Sequence, residues 1–111
     1  MKTDKRKEET CEEQLRRMCK NIADDISNAS HDGGISGASR LMDDVYNVRY
    51  IVDSEKKYLG AMLMVAGGGP TIWINTWTKE VEGSWGADRC THHFRDEIGL
   101  DDYNEEMYNC I

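Results

Sequence analysis

The sequence predicts an α+β domain in which a four-stranded antiparallel β-meander packs with an N-terminal amphipathic helix and a C-terminal acidic helix. Apolar residues recur with helical spacing near both ends of the 111-residue chain. Short apolar runs separated by turn residues fill the middle, which is typical of strands joined by tight connections. The length suits one modest core, so we expect a single domain over residues 1–111.

The first helix is predicted over residues 10–29, after a frayed segment at 1–9. Thr10 and Glu13 have the spacing of a capping box. In this motif the Thr10 hydroxyl and the Glu13 carboxylate each accept a hydrogen bond from an otherwise unpaired backbone amide. Apolar residues then recur every three or four positions, which makes one apolar stripe on a helix whose other face is charged. The stripe comprises Cys11, Leu15, Met18, Ile22 and Ile26.

The β-meander is predicted over residues 45–86, after a glycine-rich loop at 30–37 and a short helix or turn that starts near Ser39. The chain must turn at Gly67–Pro70, because glycine tolerates positive φ and Pro70 has no amide to donate. Neither a lysine nor a helix directly follows these glycines, so they do not form a phosphate-binding loop. The strands are expected at 48–52, 58–66, 71–76 and 81–85.

Alternation along the third strand separates its aromatic residues from its isoleucines. If helices cover the face of Ile72 and Ile74, then Trp73 and Trp77 lie on the opposite face, and Trp85 lies elsewhere. An uncovered face of this kind is typical of a protein-binding surface, since tryptophan is enriched at binding hot spots.

The last part of the chain is predicted to leave the sheet after Trp85 and to end in a helix over residues 96–109. Leu100, Tyr103 and Met107 recur at helical spacing, so they form a stripe that packs on the sheet. The opposite side of this helix carries four carboxylates one turn apart, from Asp101, Asp102, Glu105 and Glu106.

Net charge limits the classes of partner. The formal charge is −7, and residues 80–111 contain nine acidic side chains against two arginines. An acidic surface repels nucleic acid and suits a basic protein partner, so we expect no direct nucleic-acid binding. The chain has no run of about 18 apolar residues and its charged start does not read as a secretory signal, so we expect no membrane span and a cytoplasmic location.

Four cysteines are expected to be free thiols, because a cytoplasmic location does not favour disulfides. Cys11 and Cys19 lie about 12 Å apart along one helix, which is too far for a bond. The other two are Cys90 and Cys110.

Catalysis and cofactor binding are not expected, since no nucleophile elbow or metalloprotease motif is present. Cys90, His92 and His93 are residue types that bind zinc. A structural zinc site requires about four ligands, and the sequence lacks a second closely spaced pair of ligands. A small metal-binding protein that uses these three residues stays open as an alternative.

Two segments of the meander carry a family resemblance: Gly68–Thr76 (GGPTIWINT) and Val81–Arg89 (VEGSWGADR). Together with the closing Leu100–Met107, they resemble a family of small proteins from phages and mobile elements of Firmicutes, over roughly residues 45–108. The chain departs from the family pattern at Ser84, and at His92–Phe94. The resemblance implies a phage-borne protein without catalytic residues and, by analogy with small acidic phage proteins, an anti-CRISPR-type inhibitor of a host Cas effector.

The expected mechanism is occupation of a basic nucleic-acid-binding surface on that partner, inside the host cytoplasm. Carboxylates on the C-terminal helix would take the place of phosphates against arginine and lysine. The alternative is a non-catalytic oligomeric accessory protein, such as a homodimer paired through the N-terminal helix. The expected partner-binding residues are Asp101, Asp102, Glu105, Glu106, Trp85, Asp88 and Tyr108.

Overall fold

The computed structural model describes residues 10–28 and 34–111, which form three helices and one antiparallel sheet of five strands. The strand order β1-β2-β3-β4-β5 follows the chain, so the α+β class and the meander are confirmed. Predictions for residues 1–9 and 29–33 fall outside the described residues. The elements are α1 (Cys11–Ser27), α2 (Gly34–Met42), β1 (Asn47–Val52), β2 (Tyr58–Ala66), β3 (Thr71–Asn75), β4 (Glu80–Trp85), β5 (Asp88–His93) and α3 (Leu100–Asn109).

The predicted number of four strands is wrong, because the segment expected to leave the sheet forms β5. It pairs antiparallel with β4, with Cys90 opposite Gly83 and Trp85 opposite Asp88. Gly86, at φ 61°, allows the tight turn between the two strands. β5 is an edge strand with polar residues at most positions, so it lacks the apolar run that marked the other strands.

The capping box at the start of α1 is confirmed. The Thr10 amide donates to Glu13 Oε1 and the Glu13 amide donates to Thr10 Oγ1, both at 3.0 Å. The buried stripe is centred slightly away from the predicted one, since Cys11 is exposed and Cys19 is fully buried. Its fully or nearly fully buried members are Leu15, Cys19, Ala23 and Ile26.

The other two helices also differ from prediction in their bounds. The short element expected near Ser39 is a helix from Gly34 to Met42. α3 starts at Leu100 rather than at residue 96, because Asp96 lies outside the helix and caps it. Its two carboxylate oxygens accept from the amides of Leu100 and Asp101, at 2.7 and 2.8 Å.

The helices pack on one face of the sheet. α1 lies against β4 and β5, α3 lies against β2, and α2 contacts α3. Leu63, Ile72, Ile74 and Val81 from the central strands are fully buried beneath this layer. The fold therefore has two layers, one of helices and one of strands. The face of the sheet that points away from the helices has a different composition from the buried face.

Candidate protein-binding surface

The four carboxylates predicted to act together on α3 have different surroundings. Asp101 is half-buried and accepts hydrogen bonds from Tyr58 Oη at 2.9 Å and from Thr76 Oγ1 at 2.8 Å. Burial raises the pKa of Tyr58, and the neighbouring Asp101 carboxylate raises it further. Asp101 thus fastens α3 to the sheet and is held inward rather than presented to a partner.

The remaining three carboxylates of this helix are exposed, and we call Asp102, Glu105 and Glu106 the acidic ridge. One oxygen from each of Asp101, Asp102 and Glu105 lies within 4.8 Å of the others. Between described residues, no salt bridge involves the ridge. The ridge therefore presents uncompensated negative charge on a helix that is anchored from below by Asp101.

Tyr108, predicted as an exposed anchor, instead helps to pack α3. Its hydroxyl donates to the Lys56 carbonyl at 2.6 Å. Its ring centroid lies 5.1 Å from that of Tyr50 and 5.8 Å from that of Tyr58. The three tyrosines form an aromatic cluster between α3 and the start of the sheet, so Tyr108 is a packing residue that is half-buried.

Trp85 and Asp88 flank the turn between β4 and β5 and are not on α3. Trp85 is half-buried and packs against the core. A Cβ built on Gly69 would lie 3.6 Å from Trp85 Nε1, so the indole also borders the glycine-rich turn. The predicted site residues therefore lie in two separate regions, the β4–β5 hairpin and α3, and only the acidic ridge combines exposure with like charge.

The sheet face away from the helices was anticipated only through its tryptophans. Trp73 lies on it, as predicted, and the Arg49 guanidinium sits 5.0 Å from the centroid of its ring. Cross-strand pairing places Met64 and Glu82 on either side of Trp73. Trp77 lies beyond β3, in a turn, and is 54% exposed. The face is mixed in charge and partly apolar, in contrast to the acidic ridge.

The metal alternative depends on residues that the fold separates. Alternation along β5 turns Cys90 and His92 toward α1 and turns His93 to the other face. There His93 Nε2 lies 3.1 Å from Glu80 Oε2. Over the part of the chain that the structure describes, one group of three or more His, Cys, Asp or Glu side chains brings its ligand atoms together. That group is Asp101, Asp102 and Glu105. Cys90, His92 and His93 therefore do not assemble a binding site.

Pairing of two copies through the N-terminal helix would require an apolar face that is already in use. Leu15 and Cys19 lie against Gly83 of β4, and Cys19 also contacts Cys90 of β5. The buried residues of α1, which are Leu15, Cys19, Ala23 and Ile26, thus pack within the chain.

A second acidic feature borders α1 and α2, where a cleft of about 860 Å³ opens above the sheet. Its floor includes Ile74 and Ile98, which are almost fully buried. Sequence reasoning did not anticipate it, because its walls come from distant segments. The carboxylates at its edge are those of Asp24, Asp25, Asp43 and Asp44.

Comparison of the chain with protein-family models, curated proteins and solved structures finds no match. The resemblance to phage and mobile-element proteins of Firmicutes accordingly stays a prediction. None of the helices that the structure describes is both long enough and apolar enough to span a membrane.

Proposed function

We propose that this chain is a small acidic, non-catalytic protein that binds and inhibits a host defence nuclease, in the manner of an anti-CRISPR inhibitor of a Cas effector. It would act in the cytoplasm of the host cell by occupying a basic nucleic-acid-binding surface. The observation that carries the proposal is the acidic ridge, because its three exposed carboxylates have no basic partner among the described residues.

The ridge suits this task for an electrostatic reason. Carboxylates accept charge-assisted hydrogen bonds from arginine and lysine, as phosphate oxygens do. The backbone of the ridge residues is already ordered in α3, so binding has to order only the side chains. Close charge pairs in one tight protein complex have coupling energies of about 1.5–7 kcal/mol in double-mutant cycles. Such contacts speed association and weaken as salt rises.

The test reverses the ridge without disturbing the anchor beneath it. The variant D102K/E105K/E106K keeps Asp101, whose hydrogen bonds to Tyr58 and Thr76 support the fold. Binding to a panel of purified RNA-guided nucleases would be measured from 50 to 300 mM salt, over which the Debye length falls from about 14 Å to about 6 Å. Inhibition of DNA cleavage would be measured in parallel. For an effector that the parent protein inhibits, we expect affinity to fall by about 100-fold or more.

A matched control reverses the same number of charges on another helix. The variant E12K/D24K/D25K changes three carboxylates of α1, so both triple variants carry a net charge of −1 in place of −7. Circular dichroism and thermal melting would establish that each variant is folded. Equal loss of binding in both would mean that net charge alone matters, and loss only in the α1 variant would place the contact at the cleft. Either result contradicts the proposal, and so does a failure of the parent protein to inhibit any effector of the panel.

A further inference from the structure

Two of the four cysteines meet at the contact between α1 and the edge of the sheet. Cys19 lies on α1 and is fully buried, and Cys90 lies on β5 and is half-buried. Their Sγ atoms are 3.2 Å apart, although 71 positions separate them in the chain. Both are free thiols in this structure.

The approach of the two thiols depends on a glycine in the strand between them. Gly83 is opposite Cys90 in the register of β4 and β5. A Cβ at Gly83 would lie 2.5 Å from Cys19 Sγ and 2.9 Å from Leu15 Cδ1, so glycine lets α1 pack at this depth without moving either side chain. Cys90 Sγ also lies 3.8 Å from the Leu15 carbonyl oxygen. Helix packing therefore holds the thiols together, and the contact is part of the core.

We infer that Cys19 and Cys90 form a redox modification site, in which a low-molecular-weight disulfide such as oxidised glutathione converts them to an intramolecular disulfide that fastens α1 to β5. The inference does not depend on the proposed function. A disulfide bond length of about 2.05 Å requires the sulfur atoms, now 3.2 Å apart, to approach by about 1 Å.

The reaction is two successive thiol–disulfide exchanges. Cys90, as its thiolate, attacks one sulfur of the small disulfide, forms a mixed disulfide and releases the first small thiolate. Cys19 then loses its proton and attacks Cys90 Sγ, which forms the intramolecular bond and releases the second small thiolate. The protein loses two electrons and two protons, and the small disulfide is reduced to two thiols.

Exposure sets the order of the two steps. Burial, and next to it the interaction with the Cys90 side chain, raise the pKa of Cys19 from 9.0 to about 12, so Cys19 is a poor first nucleophile. Cys90 is the more accessible member and receives the small disulfide. Cys11 and Cys110 are exposed, and each is expected to stop at a mixed disulfide.

The experiment incubates the folded full-length protein with oxidised glutathione at pH 8, traps remaining thiols by alkylation in acid, and determines intact and peptide masses. We expect a cross-linked peptide pair containing Cys19 and Cys90, with a loss of about 2 Da that dithiothreitol reverses. The melting temperature of the oxidised protein is expected to rise by about 10 °C.

Matched variants separate this pair from the exposed thiols. C11S/C110S should still form the cross-link, whereas adding C19S should leave a glutathione adduct on Cys90. The parent protein alone suffices if a variant fails to fold, because peptide mapping identifies the bonded pair directly. Persistence of both thiols after oxidation of the folded chain, or formation of the cross-link only in urea, would overturn the inference.

Discussion

Gly83→Ala tests whether α1 sits on the sheet at the depth described. The new methyl group would lie 2.5 Å from Cys19 Sγ and 2.9 Å from Leu15 Cδ1, both well inside van der Waals contact. Gly83 is itself buried, so the methyl group cannot turn to solvent. Either α1 moves away from β4, or the two side chains leave their preferred rotamers.

Two terms of opposite sign decide how much Gly83→Ala changes the free energy of unfolding. Overpacking a core costs about 1–3 kcal/mol, whereas replacing a strand glycine by alanine recovers about 0.5–1 kcal/mol of backbone entropy. We therefore expect a net loss of about 0.5–2 kcal/mol in the free energy of unfolding. That is a substantial part of the roughly 5–15 kcal/mol that stabilises a typical domain.

A double-mutant cycle with Cys19→Ala isolates the steric term, since the entropy term is common to both backgrounds. Removing Sγ eliminates the 2.5 Å contact and leaves only the flexible end of Leu15 nearby. Gly83→Ala should then cost at least about 1 kcal/mol less than in the parent.

The assay is urea unfolding under reducing conditions, followed by tryptophan fluorescence. Gly86→Ala serves as the control, because Gly86 has φ 61° and no atom within 4 Å of a Cβ. Its cost is backbone strain of about 1–2 kcal/mol and should be the same with or without Sγ. If Gly83→Ala lowers the free energy of unfolding equally in the parent and in Cys19→Ala, the described packing of α1 against Gly83 is refuted.

Three further predictions concern the two ends of the chain and its response to alkali. Asp101→Ala should lower the free energy of unfolding by about 1–3 kcal/mol in urea titrations, because the alanine leaves partly buried donors without an acceptor, whereas the neighbouring Asp102→Ala should change it by less than about 0.5 kcal/mol. Thr10→Ala should cost about 1 kcal/mol through loss of the capping box, seen as a lower melting temperature and absent in Thr10→Ser. Folding raises the pKa of Cys19 from 9.0 to about 12 and raises the pKa of Tyr58 above its ordinary value of 10.0. The contribution of each group to stability is therefore complete below its own unfolded pKa and is lost as the pH rises through its folded pKa. Urea midpoints should therefore fall above pH 9, and less steeply in Cys19→Ala; a flat profile would contradict the burial of both groups.

Local patterns accounted for much of the fold and less of the site. The Thr10–Glu13 capping box and the turn at Gly67–Pro70 depend on neighbouring residues, so spacing along the chain sufficed to predict both. β5 was missed because polar residues occupy most of an edge strand, and the sequence does not show that β4 supplies its hydrogen bonds. The prediction that Asp96 lies inside the last helix was wrong, because backbone geometry decides whether a carboxylate caps a helix or belongs to it, and the sequence does not show that geometry.

The sequence by itself determined the class of fold, the order of the elements of the meander and the acidic character of the last helix. These follow from the periodicity of apolar residues and from composition, which are properties of short segments. Tertiary structure alone decided that Asp101 points inward while Asp102 stays exposed, since the acceptor role of Asp101 requires Tyr58 and Thr76 from other elements. It also decided that Cys19 meets Cys90 over Gly83, because a contact between residues 71 positions apart exists only once α1 has packed on the sheet.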